Sequence, residues 1–189
     1  DRVGVGGLEG AERHVADDES ALRAAVLFAT DWPDWASSLA LRHPHIWVKL
    51  IVPILASEIA AGPPPGGYWG RTLSTASHLH EAVRRPLAAP LFAAIRHLPV
   101  IDGMDLDRLF RILRADPEVA AALPTFAERH AREAWHEGSV KRALNWLPIW
   151  AEVEIAGFRT LFDWIVADAS VIEDGLGIYA RIRAKLDMV

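Results

Sequence analysis

Apolar residues recur at intervals of three and four along most of the chain, which is the period of an α-helix and not the strict alternation of a strand. The first such run begins at Asp17, where Asp17, Asp18 and Glu19 suit a helix N-terminus and Leu22, Ala25, Val26 and Ala29 share a face. Trp32-Pro33 closes it. Further helices are predicted over 34–42, 46–61, 73–84, 86–97, 105–114, 117–123, 124–137, 140–168 and 172–185, with kinks at Pro53 and Pro148. The segment GPPPGGYWG, residues 62–70, interrupts the pattern and is predicted to be a loop or hinge. Within the run 144–165 the apolar residues cover most of a helical circumference, and Glu152, Ala156, Arg159 and Asp163 form the one narrow polar arc. That breadth predicts a central helix, with Glu154 projecting from its apolar side towards Arg129, Arg132 or His136. The expected fold is all-α: a multi-helical array or bundle of about eight to ten short, proline-punctuated helices. Residues 1–16 read as a flexible glycine-containing tail, and 17–189 as one domain.

Composition narrows the picture. At 189 residues and 51% hydrophobic content, the chain can bury a sizeable core without staples. Cysteine is absent, which excludes disulfides and thiolate chemistry and leans towards a reducing, cytoplasmic setting. A net charge of −5 with scattered basic residues argues against nucleic acid as a partner. The uncharged apolar runs 50–56 and 86–95 fall short of the ~18 residues of a membrane span, so membrane insertion is not expected. Because the chain opens at Asp1, a processed product or a segment of a larger multidomain protein is the expectation.

Two stretches resemble known helical repeats. Asp116, Pro117, Val119 and the alanines 120–122, following Leu113-Arg114, resemble the inter-helix turn of HEAT repeats, and Leu41-Arg42 with Pro44 and Ile46 is similar. Ala131, Gly138 and Ala143 resemble a tetratricopeptide hairpin, in which small residues let two antiparallel helices approach. Trp150 departs from that pattern, which wants a small residue there. The resemblance implies a helical protein-interaction module with a protein partner and no cofactor.

Candidate chemistry is sparse. The N-terminal GxGGxxG has no strand before it and does not make a dinucleotide loop. His78 and His80 are metal candidates by residue type, yet positions two apart on a helix point about 200° from each other. Glu133 and His136 share a helix face in the ExxH spacing of di-iron carboxylate bundles, and Glu154 could join them. Arg129 and His136 also satisfy the spacing of HEPN-type ribonucleases, which resemble this chain in those two residues alone. Glu154, Glu133, His136 and Arg129 are therefore the candidate catalytic residues of an alternative reading, a small all-α enzyme or ligand binder with an interior pocket. Tyr68 and Trp69 in the Pro/Gly loop, with Trp150 and Trp164 further on, are the candidate binding aromatics.

Overall fold

A computed structural model describes residues 16–26, 32–62, 71–98, 101, 106–151, 155–167 and 171. Over these residues the chain is all-α, with nine helical segments and no strand among them. They are α1 (16–26), α2 (Asp34–Arg42), α3 (Pro44–Ala61), α4 (Arg71–His78), α5 (Glu81–Ile95), α6 (Leu106–Leu113), α7 (Pro117–His136), α8 (Val140–Ala151) and α9 (Ile155–Ala167). The Pro/Gly loop beyond Gly62, the N-terminal tail and the helix expected over 172–185 lie outside the described residues.

The helix ends follow local chemistry. Asp116, extended at φ −109° and ψ 123°, caps α7: its carboxylate accepts from the backbone N–H of Glu118 (2.9 Å) and Val119 (3.1 Å), and Pro117 fills the first helical position. The other end of α7 closes on Gly138 at φ +72°, where Gly138 N–H donates to Trp135 O and Ser139 N–H to Ala134 O. This paired closure needs a left-handed residue, which glycine adopts without strain. It turns the chain into α8. α7 and α8 pack on each other, and Ala131, Ala134 and Ala143 on them are fully buried.

Several boundaries differ from expectation. Pro124 does not divide α7, nor does Pro148 interrupt α8. An interior proline costs about 3 kcal/mol, and burial of Leu123, Phe126 and Ala127 around Pro124 is large enough to offset it. The break expected near Pro86 falls instead at Leu79–His80, where the His80 ring accepts from Ala82 N–H and caps α5. Residues 144–165 do not form one central helix: α8 ends at Ala151 and α9 starts at Ile155. A Cβ built on Gly157 would lie 2.7 Å from Ala151 N and 2.9 Å from Trp150 Cγ. In a continuous helix, residues six and seven apart stand about 9–10 Å apart along the axis. Gly157 therefore packs against the end of α8, which one continuous helix would not allow.

The hub is α5. It touches α2, α3, α6 and α7, and its Leu87, Ala88, Leu91 and Ile95 are fully buried. α3 lays Ile46, Trp47, Ile51, Leu55 and Ile59 into the interior, and Trp47 Nε1 donates to Val83 O of α5 at 3.0 Å. By length and composition alone α3, at 18 residues, is long and apolar enough to cross a membrane. Buried side chains from Leu22 to Val171 form one contiguous core.

Candidate functional site

Most of the residues singled out in the sequence fall on α7 and its neighbours, and they do not converge. Glu133 and His136 are both on the surface side of α7, Glu133 exposed and His136 outside any described recess. Arg132 pairs with Glu128 at 2.8 Å and lays its guanidinium over the Trp150 ring, 4.9 Å from the centroid. Arg129 reaches the other way, donating to the backbone oxygen of Arg96 at 2.6 Å. Glu154, Tyr68 and Trp69 lie outside the described residues. Trp150 and Trp164, candidate binding aromatics, are both buried: Trp150 is in the core and Trp164 stacks on Trp135, with centroids 4.5 Å apart and planes 3° from parallel. His78 bonds back to Ser74 O at 2.8 Å, and His80 serves as the α5 cap. No group of three or more potential metal ligands occurs among the described residues.

The buried ionisable group that sequence reasoning passes over is His130. It is 4% exposed, stacked on Trp146 (4.6 Å, 17°) and edge-on to Phe126 (4.7 Å, 81°). Arg129 donates to its Nε2 at 3.1 Å, and a Glu133 carboxylate oxygen stands 4.0 Å from Nδ1. Burial, followed by the charges of Arg129 and Arg142, pushes its pKa down to about 4. The ring is neutral at neutral pH, with Nε2 accepting. Enclosed between two aromatic rings, it joins α7 to α8. A sequence signal exists: His130 follows Val119, Leu123 and Phe126 at steps of four, three and four on the buried face of α7.

Away from α7, a recess of about 220 Å³ opens between α1, α3 and α4. Ala25, Val26, Ile51, Ile54 and Ala76 form its apolar wall, Trp32 and Trp47 meet in it with centroids 5.0 Å apart, and Arg71, Thr72 and Thr75 edge it. Both indole N–H groups are engaged elsewhere, Trp32 with Ser37 Oγ at 2.9 Å and Trp47 with Val83 O at 3.0 Å. What the tryptophans present to the recess is therefore carbon. The α4 wall is anchored by Glu58, whose carboxylate accepts from the backbone N–H of Thr72 (3.4 Å) and Leu73 (3.0 Å). Trp32 and Trp47 are 15 residues apart in the sequence, and only the packing of α3 brings them together.

The chain was compared with family models, with curated proteins and with solved structures, and none of the three gave a match. The functional reading rests on the residues themselves.

Proposed function

We propose that the chain is a helical protein-interaction module whose recess between α1, α3 and α4 receives one large apolar side chain of a partner protein. The recess carries this reading. Its volume of about 220 Å³ is below the ~300–1,000 Å³ of typical small-molecule sites and suits a single anchoring side chain. Two tryptophans with their polar atoms already satisfied give that side chain an apolar, rigid seat, and aromatic-lined pockets are where interfaces concentrate their binding energy. Exposed Trp35 and Leu41 on α2, directly after Trp32 in the chain, add apolar surface to the same end of the sequence. The enzymatic alternative draws no support from Glu133 and His136, which do not line this recess.

The test is selection of linear peptides from a displayed library against the full chain, followed by affinity measurement on a filled recess. Thr75, half-buried on the α4 wall, is replaced in Thr75→Trp. Selected peptides should share a large apolar residue and lose at least tenfold in affinity on the variant, about 1.4 kcal/mol. The variant's far-UV spectrum should stay unchanged. Peptides that bind the folded variant as tightly as the original chain would place recognition elsewhere.

A further inference from the structure

We propose that a second recess, the groove between the last turn of α5 and the middle of α7, binds a small aromatic molecule carrying a phosphate, of the nucleoside monophosphate class. It shares no lining residue with the recess between α1, α3 and α4, and the proposal does not depend on a peptide binding there. Phe92, Arg96, His97, Ala122, Thr125, Phe126 and Arg129 line a volume of about 450 Å³, which falls within the range of small-ligand sites.

The charge of the lining selects the ligand. Its ionisable residues are Arg96, His97 and Arg129, and no carboxylate lines it among the described residues. Glu128, on the same stretch of α7, is engaged by Arg132 at 2.8 Å. Guanidinium groups match the oxygens of a phosphate in paired hydrogen bonds. Arg129 is held in place at the groove. One of its terminal nitrogens donates both to Arg96 O (2.6 Å) and to His130 Nε2 (3.1 Å), while its carbon centre sits over the Phe126 ring at 5.4 Å. A guanidinium has five N–H donors, so these bonds leave most of its donor capacity for a ligand. Arg96 Nε donates to His97 Nε2 at 3.0 Å, and both side chains line the same groove as Arg129.

The aromatic half of the ligand is selected by Phe92. Phe92 is half-buried and packs edge-to-face on Phe126 at 5.3 Å and 80°, so an aromatic surface borders the two arginines. Stacking there and charge pairing at Arg96 and Arg129 act on different parts of one molecule. A ligand with both parts gains over either alone.

The experiment is calorimetric titration of the full chain with adenosine monophosphate, adenosine and inorganic phosphate at low salt. The monophosphate should bind saturably and at least tenfold more tightly than either fragment, and should weaken as salt rises. Arg96→Gln, at an exposed position, should lower monophosphate affinity at least tenfold without changing the melting temperature. Phe92→Leu should weaken monophosphate but leave phosphate untouched. Three results would overturn the proposal: no saturable binding of the monophosphate, equal binding of adenosine, or equal binding of phosphate alone, the last marking a plain anion site. Retained affinity in a folded Arg96→Gln variant would overturn it too.

Discussion

His130 shows how much one side chain can weigh at the residue scale. Its folded-state pKa of about 4 lies below the ordinary 6.5, because a protonated ring would sit between Trp146 and Phe126 beside the cationic Arg129 and Arg142, with only Glu133 in opposition. In the unfolded chain the ring protonates near pH 6.5, so below that pH the unfolded state binds the extra proton and is favoured. The stability from burying the neutral ring is complete above about pH 6.5 and is lost as pH falls towards 4, by roughly 3 kcal/mol over the interval. Replacing the ring with one that cannot titrate should remove this slope. Urea denaturation of the original chain and of His130→Phe at steps from pH 4 to 7 measures it. The difference in unfolding free energy should shift in favour of the variant as pH drops. His43, which pairs with Asp18 at 2.8 Å, is common to both proteins and cancels in the comparison. A difference that stays flat across the interval would mean the ring is hydrated or protonated in the folded chain.

At the scale of elements, the contact between α8 and α9 rests on the missing side chain of Gly157. Glycine inside a helix ordinarily costs about 1 kcal/mol relative to alanine, so Gly→Ala is stabilising at most helical sites. Here the sign reverses. The added carbon would lie 2.7 Å from Ala151 N and 3.0 Å from Ala151 Cα, and backbone cannot step aside as a flexible side chain would. Gly157→Ala should destabilise by about 1–3 kcal/mol in urea denaturation, and an unchanged or raised stability would show that the two helices do not meet there. The element scale also separates what is local in the sequence from what is not. Helical period is legible nearly everywhere because it is a local property, and the Asp116-Pro117 start and the Gly138 stop are legible because capping depends on neighbouring residues. Pro86, Pro124 and Pro148 mislead for the same reason: the local cost of an interior proline is visible, whereas the tertiary burial that offsets it is not. The candidate sites are less legible still. Arg96 and Arg129 are 33 positions apart, and nothing in either neighbourhood announces that their helices meet. The α7 residues chosen for their spacing share a helix but not a cavity.

At the scale of the whole molecule, the hub is α5 and not residues 144–165, and that difference alters how the molecule should unfold. α5 packs on α2 and α3 and also on α6 and α7, and α8 reaches the rest through α7, through the Trp146 ring against Phe110 of α6 at 5.7 Å, and through Trp146 Nε1, which donates to Ile101 O at 3.2 Å. One continuous core implies that damage at the hub is felt on both sides. Leu91, fully buried on α5, is the position to probe. Leu91→Ala removes side-chain volume that the surrounding helices cannot wholly refill, with a cost of about 2–5 kcal/mol. If the core is one cooperative unit, hydrogen exchange should show slow amides in α3 and in α8 losing protection by the same free energy. Loss confined to α2, α3 and α5, with α7 and α8 unaffected, would divide the chain into two units. The α7–α8 hairpin, with its paired closure at Gly138 and its buried alanines, would then be the independent half.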